Sequence, residues 1–462
     1  MRVSSFLAKI KVNDGKYVLL NSRTGAVDIV DADVADFLSK LEEGQTVKSI
    51  DSKLIDMLKI SECLTDKSSE EEKREATDFC KRLYERISVT KSHIILLTYD
   101  CNLRCQYCWE SALKKRGPEW IEKSLDESKV MKIFDAIRYF DCHSNKKNPI
   151  VLFGGEPFLP RNVEVVEQIF KIGSDYGYPF FVVTNGVTLG SYLGLLKKID
   201  VKGLQITLDG PREVHDKRRF KADGTGTFDE IVQNIEQARK IGLPLFIRVM
   251  VDPKNEKDIR KFANFLQANG WHEDRFVRAY LAPVFPHSGS SYCYANPREA
   301  SITSLLSLVE NPSVANVFER NLKYFHPLEE VFYGTGDWFP LYYYCNAHYS
   351  QFFYDPHGDI YPCWLTLGEK RLAIGRYSPK LKMNKNFKSW QSRNVFNLPR
   401  CKNCRYALLC GGGCAYSVFE QKGTIMDSDC RFFSAIHKYY IPYLYSRMKR
   451  QERGCEPVKG GT

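Results

Sequence analysis

Three cysteines stand close together in the segment CNLRCQYC, at Cys101, Cys105 and Cys108. Thiolates at this C-x3-C-x2-C spacing can hold three irons of a cubane iron–sulfur cluster, which ordinarily takes four cysteines. Because the next cysteine is Cys142, the fourth iron keeps an open position, and an open position turns a structural metal site into a reactive one. Structural zinc and core thiols are the alternatives, but zinc also needs a fourth ligand, and His93 lies inside a predicted strand.

A second group of cysteines crowds the C-terminal part of the chain. Its members are Cys345, Cys363, Cys401, Cys404, Cys410, Cys414 and Cys430. The run from Cys401 to Cys414 has the spacing C-x2-C-x5-C-x3-C. Zinc, a set of disulfides and reactive clusters are the three interpretations that such a run allows.

The length and composition of the chain indicate a soluble globular protein of two or three domains. The chain has 462 residues, of which 43% are hydrophobic and 27% charged. The N-terminal segment has no signal-peptide pattern, and no stretch approaches the ~18 apolar residues of a membrane span. We therefore expect a cytoplasmic protein without a membrane partner, whose 15 cysteines bind metal or act in redox chemistry rather than form disulfides.

The net charge of +11 permits a nucleic-acid partner. The basic residues are scattered, as in KKRGPEWIEK and DKRRFK, and no arginine-rich tail stands out. A basic surface suited to an acidic peptide is the simpler interpretation, and nucleic acid is disfavoured.

Strands and helices alternate from residue 93 onward. The predicted strands are HIILLTYD, IVLFGG, FFVVTNG, LQITLDG, LFIRVMVD and FVRAYLAPV, with helical runs such as DESKVMKIFDAIRYF and FDEIVQNIEQARK between them. Near-continuous apolar strands of this kind predict a buried parallel sheet, open or curled into a barrel. Because sites form at the carboxyl ends of parallel strands, the chemistry should lie in the loops TYDCN, GGEP, TNG and LDGP.

The segments at the two ends of the chain lack the regular alternation of strands and helices. FLAKIKV and KYVLL, split by NDG, predict a hairpin, and three helical runs follow it up to about residue 90. Near the other end, QFFYDPHGDIYPCW predicts a short hairpin turning at DPHGD, and FFSAIHKYYIPYLYSRM predicts a helix. EPVKGGT is predicted to be a disordered tail.

The cysteine loop resembles that of the radical S-adenosylmethionine (SAM) superfamily, and the motif GGEP, Gly154 to Pro157, supports the resemblance. The resemblance implies a partial (β/α)6 TIM-like barrel in an α/β chain, with a 4Fe–4S cluster on Cys101, Cys105 and Cys108. Its open iron would chelate SAM, and reduction would yield methionine and a 5′-deoxyadenosyl radical that takes a hydrogen atom from the substrate.

Eight residues match positions that contact SAM in relatives: Tyr107, Gly154, Gly155, Glu156, Thr207, Asp209, Arg219 and Leu281. The resemblance implies that GGEP binds the amino group of the methionine, and that Tyr107 and Leu281 lie beside the adenine. Thr207 would present its hydroxyl to SAM. Arg219 would meet the SAM carboxylate, a partner that suits a planar guanidinium.

The seven C-terminal cysteines resemble the SPASM domain, which usually holds two auxiliary 4Fe–4S clusters. The resemblance assigns Cys401, Cys404, Cys410 and Cys430 to one cluster. It assigns Cys345, Cys363 and Cys414 to the other. The latter set lacks a fourth cysteine, which leaves three possibilities: an iron open to substrate, a ligand such as His348, or a distant cysteine such as Cys293. The chain would therefore carry three 4Fe–4S clusters and bind SAM.

Two features bear on the branch of the family. Sulfatase maturases carry a catalytic Asp directly after the cysteine matching Cys363, and here that position is Trp364, which cannot accept a proton. The N-terminal layout resembles a RiPP recognition element, a winged-helix-like α+β domain that binds the leader of a precursor peptide by strand addition. A cap domain without a ligand is the alternative.

The sequence thus predicts a peptide maturase that forms a thioether or carbon–carbon cross-link in a ribosomal precursor peptide bound through its leader, with flavodoxin or ferredoxin as reductant. A formylglycine-forming sulfatase maturase and a metal-stabilised nucleic-acid-binding protein are the alternatives. The catalytic base is not assigned. The predicted domains are a recognition element at 1–90, a radical SAM barrel at 91–288, a linker at 289–340, a SPASM domain at 341–450 and a tail at 451–462.

Overall fold

The chain divides into two units in the computed structural model. The structure describes residues 1–45, 51–284, 305–308, 310–319, 328–332 and 338–452. The first unit comprises Met1–Ile87, Leu322–His348 and Gln391–Thr462, and the second comprises Ser88–Asn321 and Tyr349–Trp390. Residues 349–390 of the predicted SPASM domain thus contact mainly the second unit. The predicted linker, tail and Cys293 lie largely outside the described residues, and the domain boundaries stay a prediction.

The N-terminal part of the first unit is a small α+β layer. Its strands are β1 (Arg2–Val3), β2 (Leu7–Lys11), β3 (Tyr17–Asn21), β4 (Val27–Val30) and β5 (Leu64–Thr65). Strands β2, β3 and β4 form an antiparallel sheet in that order, and β1 pairs with β5. The predicted hairpin is confirmed, since β2 and β3 pair across a turn at Asn13–Gly15.

Strand β4 was not predicted from the sequence, because its four residues are all only half-buried and VDIV shows little apolar contrast. Three helices pack beside this sheet: Ala32–Glu42, Ser52–Ile60 and Ser69–Ile87. The apolar faces of the first two helices bury a core with the strands that includes Leu7, Leu19 and Leu38. A sheet with three helices agrees with the predicted α+β layout, and the winged-helix identity stays a prediction.

The C-terminal part of the first unit is helical. Its helices are Leu328–Phe332, Ala407–Cys410, Ala415–Lys422, Arg431–Ala435 and Ile441–Glu452, with a π-helical segment at Ile436–Tyr440. The predicted terminal helix is confirmed, and the π segment ends two residues before Pro442, whose ring nitrogen has no hydrogen to donate.

The second unit is built on a ten-stranded sheet, of which the first six strands along the chain are parallel. These are β6 (Ser92–Leu96), β7 (Ile150–Phe153), β8 (Phe180–Thr184), β9 (Val201–Thr207), β10 (Leu245–Val251) and β11 (Val277–Pro283). Each pairs with its neighbour in sequence, from β6 through β11. The six predicted strands are therefore confirmed, and the parallel sheet is consistent with a partial TIM barrel.

Helices connect the parallel strands. They are Pro118–Ile121, Glu127–Phe140, Val163–Asp175, Leu193–Leu196, Arg212–Arg218, Phe228–Lys240 and Ile259–Ala268, and the helix Pro312–Ala315 follows the last of these strands. Glu127–Phe140 shows why the sequence folds this way: Asp126 accepts a hydrogen bond from the amide of Lys129 (2.9 Å) as an N-cap. Val130, Phe134 and Ile137 are buried at helical spacing and form the face turned to the sheet.

A short antiparallel extension completes the sheet. Its strands are β12 (Gln351–Tyr354), β13 (Asp359–Tyr361), β14 (Gly375–Arg376) and β15 (Lys382–Met383), followed by the helix Lys385–Ser392. The predicted hairpin at DPHGD is confirmed as β12 and β13. The sequence did not predict that β12 would pair in parallel with β6, with Gln351 opposite Ser92. No helix among the described residues is long and apolar enough to cross a membrane.

Candidate functional site

The loop 101–108, which carries the first three cysteines, follows β6 and is tied to the segment after β9. The amide of Arg104 donates to the carbonyl of Phe220 (2.7 Å), and the amide of Gln106 donates to the carbonyl of Arg218 (3.1 Å). Two main-chain hydrogen bonds therefore hold the cysteine loop at the carboxyl edge of the parallel strands, where the sequence predicted the chemistry.

Burial governs the protonation of the three thiols in this loop. It raises the pKa of Cys101, Cys105 and Cys108, for Cys108 to about 12. The guanidinium of Arg219 acts against burial on the pKa of Cys105. Because the thiolate is the metal-binding form, these buried cysteines need a strong cation to hold them deprotonated.

The motif GGEP lies directly against the end of β6. The amide of Gly155 donates to the carbonyl of Thr98 (2.9 Å), and the amide of Glu156 donates to the carbonyl of Asp100 (2.8 Å). A Cβ added at Gly155 would stand 2.1 Å from the carbonyl oxygen of Asp100. Only glycine allows this close approach of two backbones.

The Glu156 carboxylate is buried and satisfied by protein donors. It accepts hydrogen bonds from the Thr184 hydroxyl (2.6 Å), the amide of Asn185 (2.6 Å) and the amide of Phe158 (2.9 Å). Burial raises the pKa of Glu156, and these hydrogen bonds oppose the rise. Glu156 thus joins the ends of β7 and β8.

Asn185, which the sequence indicated only as a turn residue, also reaches the cysteine loop. Its side-chain amide donates to Oδ1 of Asn102 (2.7 Å) and lies 3.7 Å from Sγ of Cys101. Its Oδ1 accepts from the amide of Val187 (2.9 Å), as expected of a turn. Asn185 therefore serves both the turn after β8 and the orientation of the loop.

Tyr107, Asp209 and Arg219 form one hydrogen-bonded group. The Tyr107 hydroxyl donates to Asp209 Oδ2 (2.6 Å) and accepts from Arg219 Nη1 (2.9 Å). Burial alone would raise the pKa of Asp209, yet Arg218 and Arg219 hold it below its usual value. The sequence named these three residues, and the structure brings them together.

Arg218 completes this group and was not predicted from the sequence. Its Nε donates to Asp209 (3.1 Å), its Nη1 donates to Asp252 (2.7 Å), and its guanidinium carbon lies 5.1 Å from the centre of the Tyr107 ring. The two arginines are adjacent in the segment RRF and lie at the end of the same short helix. The sequence therefore does not indicate which of them binds Asp209 and Asp252.

Thr207 and Leu281 point to different faces of the sheet. Thr207 shares its face with Gln205, which accepts a hydrogen bond from Tyr280 (2.7 Å). The ring of Tyr107 packs against the cluster containing Tyr280 and Ala282. Because side chains alternate along β11, Leu281 lies on the opposite face from Tyr280 and Ala282. The structure therefore brings Tyr280 and Ala282, rather than Leu281, to Tyr107.

Glu110 is a second residue that the sequence did not single out. It follows the cysteine loop, is 4% exposed, and its Oε1 has no hydrogen-bond partner among the described residues. Burial raises its pKa to about 8, and Lys114 acts in the opposite direction. A single glutamate after CQYCW does not stand out from surface residues, so its burial could not be predicted from the sequence.

Two observations test whether this site suits SAM on a cluster. Nε of Arg219 is buried without an acceptor among the described residues, so the guanidinium can still take a carboxylate. The backbone of Gly155 packs directly against that of Asp100, which holds the GGEP turn close to the loop of Cys101, Cys105 and Cys108. Three cysteines, which are soft ligands in their thiolate form, and a guanidinium with a free Nε fit an iron–sulfur cluster with a bound amino acid.

In the first unit, four of the C-terminal cysteines influence one another. Burial raises the pKa of Cys401 to about 11, and the charges of Cys404 and Cys430 add to the rise. Burial likewise raises the pKa of Cys410 to about 12, with further contributions from Cys401, Cys430 and Cys404. The four cysteines that the sequence assigns to one cluster are therefore neighbours.

Cys345 and Cys414 form a second neighbouring set in the same unit. Burial raises the pKa of Cys345 to about 12, and Cys414 adds to the rise. His348, three residues after Cys345, is buried and stacks on Tyr343, with ring centres 5.7 Å apart. Cys363 follows β13 in the second unit.

The glycine run between Cys410 and Cys414 fixes the path of the chain there. Gly411, Gly412 and Gly413 have φ values of 65°, 83° and 74°, which other residues adopt only with strain. A Cβ at Gly413 would stand 2.0 Å from the carbonyl oxygen of Asp429, next to Cys430. Within the described part of the chain, no three His, Cys, Asp or Glu side chains converge tightly enough to ligate a single metal ion.

The first unit also contains a cavity of about 580 Å³. The turn between β3 and β4 and the helix Ser69–Ile87 supply most of its wall. Its lining residues are Arg23, Thr24, Glu75, Asp78, Phe79, Arg82 and Trp338. Phe79 is 47% exposed, which is unusual for a large apolar side chain and makes this wall suited to an apolar group.

Residues 95–266 match the family model described as the Radical SAM superfamily. The matched range begins in β6 and includes the cysteine loop, GGEP, and the group formed by Tyr107, Asp209 and Arg219.

Curated relatives fall into two kinds. The chain is 24% identical over 335 residues to the cysteine-type anaerobic sulfatase-maturating enzyme of Clostridium novyi (strain NT), covering 68% of this chain and 85% of the relative. It is 22% identical over 486 aligned positions to the radical SAM cyclopropyl synthase TigE of Paramaledivibacter caminithermalis, covering 97% of this chain and 96% of the relative.

Solved structures show the same fold at low identity. Native anSMEcpe with bound AdoMet and Kp18Cys peptide superposes with a TM-score of 0.59 at 20% identity, covering 78% of this chain and 99% of that chain. Streptococcus suis SuiB bound to precursor peptide SuiA superposes with a TM-score of 0.53 at 17% identity, covering 93% of this chain and 99% of that chain.

Proposed function

We propose that this chain, which carries a radical SAM domain, is a peptide maturase that forms a thioether or carbon–carbon cross-link in a ribosomally made precursor peptide. The alternative within the superfamily is a sulfatase-maturase-like enzyme that oxidises a cysteine or serine to formylglycine. Both kinds of relative are known, so the choice between them depends on residues of this chain.

The observation that carries the proposal is Trp364, which directly follows Cys363. The resemblance places the proton-accepting Asp of sulfatase maturases here. The Trp364 ring instead packs edge-on against Trp109, with ring centres 5.6 Å apart, in an apolar cluster with Leu367. An indole ring accepts no proton, so this position cannot support aldehyde formation.

The extent of the matches supports the same choice. The match to TigE extends over 97% of this chain, whereas the sulfatase-maturating relative covers 68%. SuiB likewise covers more of the chain than anSMEcpe, at 93% against 78%. More of this chain is therefore matched by the cyclopropyl synthase and by SuiB than by the sulfatase maturases. A leader-binding domain that only the first two share with this chain would account for the difference.

We assign the SAM-binding roles to the residues at the carboxyl edge of the sheet. Cys101, Cys105 and Cys108 would hold the cluster, and Arg219 would bind the SAM carboxylate. When bound, SAM and its cluster supply a 5′-deoxyadenosyl radical that takes one hydrogen atom from the peptide. The close packing of Tyr107, Asp209 and the two arginines keeps Arg219 oriented and water out.

Forming the cross-link removes two protons and two electrons from the peptide: one of each leaves together as a hydrogen atom, and the others leave separately as a proton and an electron. The remaining electron needs an acceptor, and the seven C-terminal cysteines are assigned to two auxiliary clusters for this purpose. The cofactors proposed are thus SAM and three 4Fe–4S clusters, with a small electron-transfer protein such as flavodoxin or ferredoxin as reductant in the cytoplasm.

The leader of the precursor is proposed to bind the N-terminal part of the first unit. Strand β4 is the outer strand of its sheet in the described residues, and an outer strand can pair with an added peptide strand. The cavity lined by Phe79 lies beside the turn that leads into β4 and would take an apolar leader side chain.

Anaerobic reaction of the reconstituted enzyme with SAM, dithionite and the peptide encoded beside its gene tests the proposal. Mass spectrometry should show a peptide lighter by two hydrogen atoms, with fragmentation blocked between the two linked residues. A product that instead reacts with a hydrazide reagent at a former cysteine would establish formylglycine formation and overturn the proposal. Zinc in place of iron would overturn the whole enzyme assignment.

A further inference from the structure

Arg393 is a completely buried cation in the first unit, with 0% exposure. Its Nε donates to the carbonyl of Ile425 (2.5 Å), and its Nη2 donates to the carbonyls of Asp427 (2.8 Å) and Gly412 (3.2 Å). Neutral carbonyls satisfy these hydrogens but supply no negative charge.

The third nitrogen of the guanidinium, Nη1, is buried and has no hydrogen-bond partner among the described residues. Within the same residues, no carboxylate forms an ion pair with Arg393. Buried guanidinium groups ordinarily pair with an anion, because an uncompensated buried charge is strongly destabilising.

Cysteines are the groups near Arg393 that can supply negative charge, in the thiolate form that binds a cluster. Burial lowers the pKa of Arg393, and four thiols act in the opposite direction: Cys345, Cys414, Cys401 and Cys410. The carbonyl of Gly412, which Arg393 binds, lies between Cys410 and Cys414 in the chain.

These four cysteines come from both predicted auxiliary sets. Cys401 and Cys410 belong to the four-cysteine set, and Cys345 and Cys414 belong to the set that lacks a fourth cysteine. Arg393 is thus the buried cation that both sets share.

We propose that Arg393 is the common counter-cation of the two auxiliary iron–sulfur clusters and that its Nη1–H donates to a sulfur of one of them. This inference rests on the proposed function, which places clusters on these cysteines. Each cluster gains negative charge on reduction, and both a nearby cation and a hydrogen bond to sulfur stabilise the reduced form. Arg393 therefore raises both reduction potentials and makes the clusters better acceptors for the electron released by the peptide.

A purely structural role is the competing explanation, because Arg393 also connects residues 412, 425 and 427. The two roles make different demands on the side chain. Tuning of the potential requires the positive charge, whereas a structural anchor requires the planar fork that reaches several carbonyls.

The experiment compares the full-length chain with its R393Q, R393K and R447Q variants, each with Cys101, Cys105 and Cys108 replaced by alanine. This background leaves only the auxiliary clusters in the spectra. Arg447 is the matched control, since it is a buried arginine of the same unit that pairs with Glu329. After anaerobic reconstitution, iron and sulfide are counted, and the reduced clusters are titrated by electron paramagnetic resonance against potential.

R393Q should lower the midpoint potentials so that, at a fixed potential, the ratio of oxidised to reduced cluster rises about tenfold, or about 59 mV for one electron. R393K should stay near the parent, and R447Q should match it. Full iron content in R393Q with unchanged midpoints would overturn the inference.

Loss of iron is also informative. If R393Q loses iron while R393K keeps both the iron and the parent midpoints, the charge is the required property and the inference is supported. If R393K loses iron as well, Arg393 is a structural anchor and the inference fails. A parent chain that binds no auxiliary iron would instead contradict the proposed function itself.

Discussion

At the scale of single residues, the site depends on atoms that lie too close together to admit any other side chain. Gly155 and Asp100 are the clearest pair, because their backbones touch where the cysteine loop leaves β6. The group of Tyr107, Asp209 and Arg219 is held by hydrogen bonds of 2.6 and 2.9 Å. Small displacements of these residues should therefore affect binding before they affect the fold.

Replacing Gly155 by alanine should weaken SAM binding by about tenfold or more, equivalent to about 1.4 kcal/mol. The added methyl group would meet the carbonyl of Asp100 at 2.1 Å and push the GGEP turn away from the cysteine loop. Equilibrium binding of SAM to the reconstituted protein measures the effect.

Gly194→Ala is the matched control, since a Cβ there would meet nothing within 4 Å. It should bind SAM as the parent does. Equal affinities for the parent and Gly155→Ala would show that this turn does not contact SAM.

At the scale of elements, the sequence predicted what has a strong apolar pattern. The six parallel strands were predictable because they are almost continuously apolar; Ile95, Leu152 and Val182, which are partners across neighbouring strands, are all fully buried. The cysteine loop and GGEP were predictable from residue type and spacing. Strand β4 and the pairing of β12 with β6 were not, because the first is half-buried and the second joins distant segments.

Charged site residues that are buried could also not be predicted from the sequence. Arg218 and Glu110 are common surface residue types, and nothing in their neighbours distinguishes them from exposed ones. Strand β11 was predicted, but which of its two faces meets Tyr107 follows from the tertiary fold, and the SAM contact of Leu281 stays a prediction.

Asp355, at the turn of the β12–β13 hairpin, should make stability depend on pH. Its carboxylate is buried and accepts hydrogen bonds from Tyr99 and from the amides of His357 and Asp359. Burial raises its pKa to about 7, so the folded state retains a proton that the unfolded chain releases near pH 4. This contribution to stability is present below pH ~4 and is lost as the pH rises through 7.

Asp355→Asn should therefore remove a decline in the free energy of unfolding of about 1.4 kcal/mol per pH unit between pH ~4 and ~7. Burial lowers the pKa of His357 to about 4, which produces the opposite slope, so the difference between variant and parent is the quantity to measure. Chemical denaturation at several pH values gives it. Parallel curves would show that Asp355 is ionised throughout.

Phe79, on the helix Ser69–Ile87, should contribute to binding of the leader. Its exposed ring lines the cavity of the first unit, and truncation to alanine removes the apolar contact. We expect Phe79→Ala to weaken precursor binding about tenfold, the effect typical of an aromatic hot spot, as measured by fluorescence anisotropy of a labelled leader.

Ile60→Ala is the control for nonspecific binding to exposed apolar side chains, because Ile60 is 83% exposed and does not line the cavity. It should bind the leader like the parent. If Phe79→Ala also binds normally, the leader site lies elsewhere.

At the scale of the whole molecule, the proposed assignment of the cysteines to different clusters predicts that SAM cleavage and peptide cross-linking can be separated by mutation. A Cys404→Ala, Cys410→Ala variant should lose about four of about twelve irons per chain. It should still cleave SAM, because the loop of Cys101, Cys105 and Cys108 lies in the other unit. Cross-linked peptide should fall far more than 5′-deoxyadenosine, as measured by chromatography of both products.

The opposite variant, with Cys101, Cys105 and Cys108 replaced by alanine, is the control and should make neither product. Equal loss of 5′-deoxyadenosine and cross-linked peptide in the Cys404→Ala, Cys410→Ala variant would argue against an auxiliary role for these cysteines.

The pairing of β6 with β12 has a consequence for how the protein is made. Strand β6 is the first of the parallel strands to leave the ribosome, and the residues that cover its outer edge, Gln351 to Tyr354, follow almost at the end of the second unit. Until they arrive, the nascent barrel presents an unpaired strand edge, the feature most prone to pair with other chains. Synthesis that stalls before residue 351 should therefore yield aggregates, and expression should improve in conditions that slow initiation or supply chaperones.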